Sequence, residues 1–251
     1  MKKIVAGLLI LVCCIMLLGC NAEEKTYDQN FLDDLKQGLI ERWNLSNELL
    51  FDSKESGEKF VNAELNYIEK YLTKKFEDTE LQEMAISYIN LLKKQKDSLK
   101  YFDVDYVKHS EAWNNALDER AKCIVEFINL YNLKFPDKFK ENVDEFTVRA
   151  ETVKENETLI NQIDEMKKTI QFEKVEQSYD YSYYEAIVEN TTDKTFDYFS
   201  LNINLIDSND VIVESTYASV DNWAPGQKTK FEFMTDAQFE KYEYEIDYYI
   251  K

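Results

Sequence analysis

The chain is predicted to be an α+β protein in separate domains: an antiparallel bundle of long helices followed by a small antiparallel β-sandwich. Two observations predict this. Apolar residues recur every three or four positions from Thr26 to Ile170, then alternate with polar ones from Phe172 to Ile250. Breakers are also scarce, since Gly38, Gly57, Gly226, Pro136 and Pro225 are the only glycines and prolines after residue 20. The expected organisation is residues 1–19 as a signal, 20–25 as a short tether, 26–170 as the bundle and 171–251 as the sandwich.

The helical half reads as four to five long segments. The first opens on Thr26-Tyr27-Asp28-Gln29, which has capping-box spacing, and carries Leu32, Leu35, Leu39 and Trp43 on one face. The second, after Ser56-Gly57, carries Val61, Leu65, Ile68, Leu72 and Phe76. A second capping-box spacing, Thr79 to Gln82, precedes Leu81, Met84, Tyr88, Leu92, Leu99 and Phe102. The fourth runs through Trp113, Leu117, Ala121, Ile124, Ile128 and Tyr131. The fifth, after Pro136, carries Phe139, Val143, Phe146, Ala150, Val153, Ile160 and Ile163. Each stripe has a charged back and must find another stripe, which with short connections gives an antiparallel bundle. A pair of coiled-coil hairpins is the alternative, but Trp43, Tyr88 and Trp113 on the seam suit a globular bundle better. Phe60, Tyr67 and Tyr71 flank the second stripe and are expected to offer spare apolar surface.

In the second half Phe199, Leu201, Ile203 and Leu205 share a face, with Ser200, Asn202 and Asn204 opposite. Tyr242, Tyr244, Ile246, Tyr248 and Ile250 alternate with Glu243, Glu245, Asp247 and Tyr249. Shorter runs are Tyr183 to Val188, Val211 to Val213 and Lys230 to Phe233. Turn chemistry at Asn190 to Asp193, Asp207 to Asp210 and Pro225-Gly226 separates them. No Gly, Pro or Ser-rich spacer joins the halves, so they are expected to pack into one semi-rigid body.

The first twenty residues have a basic start at Lys2-Lys3, then an apolar run from Ile4 to Leu18 that is shorter than the ~20 residues a membrane-crossing helix needs. A cleaved signal is the reading, an uncleaved anchor the alternative. The run closes on Leu17-Leu18-Gly19-Cys20, which resembles the lipobox of bacterial lipoproteins. That resemblance implies a lipidated Cys20, acylated as palmitate-type anchors are, and a chain held at the extracytoplasmic face of a cell membrane. More than one acyl chain is needed for stable anchoring, at ~0.8 kcal/mol per buried methylene.

Composition narrows the function. Acidic residues number 49 against 30 basic ones, a net charge of −19, and loss of Lys2 and Lys3 makes the remainder more acidic still. No basic stripe exists to neutralise phosphates, which speaks against nucleic acid as a partner. Hydrophobic residues at 44% and aromatic ones at 14% supply one or two cores rather than disorder. Of four cysteines, Cys13 and Cys14 leave with the signal and Cys20 goes to lipid, so Cys123 is alone and reads as a small buried hydrophobe. The single His109 makes no metal site by itself and reads as a surface or cap residue.

A family resemblance lies in three stretches of the β half. Val188-Glu189-Asn190-Thr191-Thr192, Ile203 to Ser208, and Trp223-Ala224-Pro225-Gly226-Gln227 with Phe231 following resemble the FxLYD domain of bacterial surface lipoproteins. The resemblance implies an immunoglobulin-like sandwich over roughly residues 172 to 250 and no assigned activity. Ile203 and Ile206 replace the aromatic residues of the signature, keeping apolar bulk.

No nucleophile elbow, zinc-protease motif, phosphate loop or dinucleotide fingerprint is present, so no catalytic residue, cofactor or metal ligand is assigned. The acidic face of Glu240, Glu243, Glu245 and Asp247 reads as solvated. Asp207-x-Asn209 starts like a calcium loop but carries Ile212 and Ala218 where glycine and glutamate are needed, so a hairpin turn is expected. The remaining candidates are Tyr179, Tyr181, Tyr183 and Tyr184, where both strand parities are aromatic. They are either an exposed ligand surface or a contact with the helical half. The expected function is a non-catalytic surface lipoprotein that binds an envelope protein or glycan. The alternative is a structural subunit of an envelope assembly working through the helical domain.

Overall fold

The computed structural model describes residues 27–251. The expected α+β order is present: five α-helices, then two antiparallel sheets of three strands. The helices are α1 (Asp28–Glu48), α2 (Lys54–Ile68), α3 (Thr79–Ser98), α4 (Tyr106–Tyr131) and α5 (Lys140–Lys167). The strands are β1 (Glu173–Ser178), β2 (Tyr181–Glu189), β3 (Phe196–Ile206), β4 (Ile212–Trp223), β5 (Lys228–Thr235) and β6 (Lys241–Ile250). Among the described residues no helix is long and apolar enough to cross a membrane. The signal, the tether and Cys20 lie outside the described residues.

Helix starts follow capping chemistry, but not at the expected residues. Tyr27 occupies the N-cap of α1 and makes no side-chain cap bond. The Asp28 carboxylate instead accepts from the backbone N–H groups of Glu77 and Asp78, at 2.9 and 2.8 Å, tying the start of α1 to the α2–α3 connection. Before α3 the cap is Asp78, one residue earlier than the Thr79 spacing suggests. Its carboxylate accepts from Glu80 and Leu81 N–H, while Gln82 accepts from Phe76 N–H. The second helix starts at Lys54, before Ser56-Gly57, because Ser53 and Ser56 form a reciprocal capping box. Asn132, at φ 54°, ends α4 in the left-handed region, and Pro136 precedes a 3₁₀ turn that leads into α5.

The stripes of α1 to α4 meet in one core, with Phe31, Leu35, Leu39, Ile68, Tyr88, Leu92, Ile124 and Phe127 fully buried. Gly38 is required where α1 crosses α2, since a Cβ there would lie 3.0 Å from the Glu64 Cα. Phe60 and Tyr71, expected as spare surface, are buried at 6% and 2%. Tyr71 is drawn in by its hydroxyl, which donates to Asp34 at 2.6 Å, and by edge contacts with Phe31 and Phe76.

The described residues divide into two compact units, with the boundary between Glu151 and Thr152 inside α5. Phe139, Val143 and Phe146 belong to the bundle core, whereas Leu159, Ile163 and Met166 are buried in the core of the β half. Ile160, placed on the buried stripe by its spacing, is exposed, because the stripe rotates to Leu159 when the helix changes cores.

One sheet has the order β1-β2-β5 and the other β4-β3-β6. Phe231 and Phe233 of the first meet Phe199, Leu201, Ile203 and Leu205 of the second in a sandwich core closed by Trp223. Two strand features escape the alternation pattern. β1 is exposed on nearly every residue, so it has no buried period to read, and β4 extends to Trp223 through polar positions. Ser200, expected outward, is buried. The Asp207 turn is a hairpin connection: its carboxylate accepts from Asn209 and Val211 N–H at 2.8 and 3.0 Å.

Asn190 explains why its stretch must be kept. Fully buried, it donates to the carbonyls of Lys194 (2.9 Å) and Trp223 (3.0 Å) and accepts from Thr192 N–H and hydroxyl. Its backbone also exchanges bonds with Gln227 and Gly226, so one side chain locks the β2–β3 and β4–β5 connections together. Gly226 has φ +72°, a turn conformation that a Cβ would strain.

Candidate functional site

The four candidate tyrosines separate. β2 is the central strand of its sheet, so one of its faces meets the core and the other is open, which is why both parities are aromatic. Tyr184 points inward, stacked on Phe233 at 5.0 Å between centroids and 5.3 Å from Phe239. Tyr181 and Tyr183 lie on the outer face, and Tyr183 pairs across the ladder with the exposed Met234 of β5. Tyr179 sits in the β1–β2 turn with φ +54° and is 97% exposed. A left-handed tyrosine costs on the order of 1 kcal/mol relative to glycine and here gains no packing.

A hollow of about 280 Å³ opens beside this row, between Tyr183, Tyr184, Phe233 and Met234. Its rim is ionic: the Lys230 ammonium bonds Glu185 at 2.7 Å and Glu232 at 2.8 Å. Those two bonds hold the Lys230 pKa above the ordinary lysine value. The result is an exposed aromatic row beside fixed charges, a combination that suits recognition of an amphipathic ligand.

A larger depression was not legible in the sequence. The last turns of α5 and strand β6 form the walls of a groove of about 890 Å³, lined by Asp164, Lys167, Tyr242, Glu243, Tyr244 and Glu245 among others. The Tyr244 hydroxyl donates to the Lys167 carbonyl at 2.7 Å, and the Lys167 ammonium lies 5.5 Å from the Tyr244 ring. Burial, with Tyr242 nearby, pushes the Tyr244 phenol up to about 12, so it stays a neutral donor. Tyr242 accepts from Phe172 N–H at 3.0 Å. These two tyrosines carry a weak signal in the sequence, since tyrosine recurs where a sandwich core would take aliphatics.

Within the bundle core lies an ionic cluster that motif reading misses. Glu64, on α2 and fully buried, accepts from Arg42 of α1 at 2.8 Å, from Arg120 of α4 and from the Tyr88 hydroxyl of α3. Gln95 accepts from Arg120 at 2.9 Å. Burial alone would push the Glu64 carboxyl up, but Arg120 and Arg42 outweigh it and hold it below the ordinary glutamate value. Burial lowers the Arg42 guanidinium to about 10, with Arg120 adding to the effect. The cluster ties four helices together, which is a structural role.

His109, expected at the surface, is buried at 2% exposure, with its Nδ1 3.2 Å from both the hydroxyl and the carbonyl of Ser98. It joins an aromatic group with Phe51, Phe102 and Trp113 where the α1–α2 and α3–α4 connections meet. Leu50, Val104, Tyr106 and Val107 are exposed at that end. Among the described residues no group of three or more metal-capable side chains converges. Compared with known proteins, the chain matches no family model, no curated protein and no solved structure.

Proposed function

We propose that this chain is a non-catalytic binding module, lipid-anchored through Cys20 at the extracytoplasmic face of a cell membrane, with an FxLYD-like sandwich as its recognition domain. The observation that carries the binding role is Tyr179, held almost fully in solvent in a strained turn at the head of the exposed Tyr181 and Tyr183 row. Strain that gains no packing is retained where a side chain is needed outside the fold. The anchoring rests on the lipobox-like Leu17-Leu18-Gly19-Cys20 alone, and the family assignment on the Asn190, Ile203 to Ser208 and Trp223 to Gln227 stretches.

Two measurements test this. Cys20→Ala should abolish lipid labelling and release the chain from the membrane fraction; unchanged membrane retention refutes the anchor. A photo-crosslinking residue placed at Tyr181 in intact cells should capture one reproducible envelope protein or glycan. If capture is absent at Tyr181 and appears instead from Val104 or Val107, the second reading is favoured, in which the exposed apolar end of the bundle docks into an envelope assembly.

A further inference from the structure

Among the described residues strand β6 ends its sheet, whose order is β4-β3-β6, and its ten residues pair only with β3. Every second residue of an edge strand presents unpaired N–H and C=O groups outward, and natural edges are usually shortened, bulged or covered. The last turns of α5 flank β6, bridged to it by the Tyr244 hydroxyl on the Lys167 carbonyl, and a groove remains between helix and strand. Consecutive residues Tyr242, Glu243, Tyr244 and Glu245 all line it, and because they alternate between the two faces of the sheet, the groove follows the edge, while Asn204 of β3, opposite Glu243, carries it onto the outer face. A second hollow of about 240 Å³ shares Asp164, Lys167 and Glu245 with the first and continues it past Ile160, Ile246 and Tyr248.

The two ends differ in chemistry. The first is acidic: Lys168 and Glu165 engage each other, which leaves Asp164, Glu243 and Glu245 against Lys167, with Lys241 4.0 Å from Glu243. The second is apolar, and Ile160 stands 51% exposed on its wall. A second copy of this chain is a poor occupant, because edge-to-edge pairing would set the acidic row of one β6 against that of the other.

We propose that this trough binds an extended segment of a basic partner, which adds to β6 as a fourth strand of the sheet. The main chain of the segment would pair with the open edge, its lysines or arginines would face Glu243 and Glu245, and an aliphatic side chain would fill the Ile160–Ile246–Tyr248 hollow. A segment of six or seven residues, about 20 Å long, spans the trough. The proposal rests on the reading of the chain as a binding module and names the chemistry of what it binds.

The test uses the mature full-length chain and a blocked eight-residue peptide of alternating lysine and valine. The expected results are binding at least about tenfold tighter than to an alternating glutamate–valine peptide, and slowed amide exchange confined to β6. Glu243→Lys with Glu245→Lys should reverse the preference between the two peptides. A lysine–valine peptide N-methylated at alternate amides keeps the charge but loses the donors, and should bind at least about tenfold more weakly. Equal binding of the methylated peptide, or protection elsewhere than β6, overturns strand addition. So does β6 protection in the absence of peptide, accompanied by a dimer. Capture from Tyr181 in cells together with failure of these peptide tests refutes the trough and leaves the binding-module reading standing. Membrane retention unchanged by Cys20→Ala, or no capture from Tyr181, with peptide binding intact, refutes the anchor or the tyrosine surface and leaves the chain a binding module that works through the trough.

Discussion

Replacing Glu64 by glutamine should be the most damaging conservative change in the helical half. The carboxylate is fully buried and, among the described residues, is the one anion paired with both Arg42 and Arg120, while the Tyr88 hydroxyl also donates to it. Glutamine keeps the shape and one acceptor but leaves two guanidiniums without a counter-charge. Breaking a buried pair by removing one partner costs about 3–5 kcal/mol. The lower end applies here, because the Arg42 side chain retains 12% exposure and Gln95 still accepts from Arg120. With a urea dependence of roughly 1.5 kcal/mol/M, a loss of about 3 kcal/mol moves the bundle's midpoint down by about 2 M. The carboxyl titrates lower in the folded state than in the unfolded one, so its contribution is complete above the unfolded value of about 4.3. It is lost as pH falls through the folded value, and the gap between wild type and Glu64→Gln should therefore close in acid. Urea unfolding followed by circular dichroism at pH 7 and at pH 3.5 reads both effects. A midpoint shift under about 0.5 M at pH 7, or a gap that widens in acid, would refute the reasoning.

Three further outcomes follow from named contacts. A fragment starting at Gln171 lacks Leu159, Ile163, Met166 and Ile170, each at most 5% exposed in the sandwich core, and should lose about 8 kcal/mol relative to one starting at Thr152. Since a unit of this size holds only ~5–15 kcal/mol, calorimetry should show the shorter fragment melting far earlier or not folding. Burial, with Glu126 and Glu119 nearby, pushes the Cys123 thiol up to about 11. Its reaction with Ellman's reagent at pH 8 should therefore run on the order of a hundredfold slower than that of a free thiol and recover in denaturant. Asn190→Ala leaves the Lys194 and Trp223 carbonyls without their side-chain donor and should destabilise the sandwich by about 2–4 kcal/mol, measured by urea unfolding.

Periodicity carried the fold class because it records which side of each element meets a core. The 3.6-residue stripes of Leu32–Leu35–Leu39 and Ile124–Ile128 could bury only as helices, and the alternation Phe199–Leu201–Ile203 only as a strand. Local chemistry carried the Asp207 turn for the same reason, since an aspartate and two nearby N–H groups decide it without help from the rest of the chain. Helix starts were less legible, because Ser53, Asp78 and Thr79 are all acceptable caps and tertiary contacts such as that of Asp28 with the α2–α3 connection choose among them. Strand β1 left no trace because neither of its faces is buried.

What the sequence determined by itself is the set of elements, the two cores they need, and an aromatic density on β2 greater than one core-facing side can absorb. Only the tertiary structure decided which tyrosine of that set is core and which are surface, since Tyr183 and Tyr184 differ in nothing but the side of a central strand they occupy. It also decided that Glu64, Arg42 and Arg120 meet, from residues 22 and 56 apart in the chain, and that Leu159 to Met166 serve a different core from the first turns of their own helix. The groove along β6 belongs to the same class. An open strand edge is a property of sheet order, and sheet order is set by pairing between distant segments, for which the local pattern of a single strand holds no record.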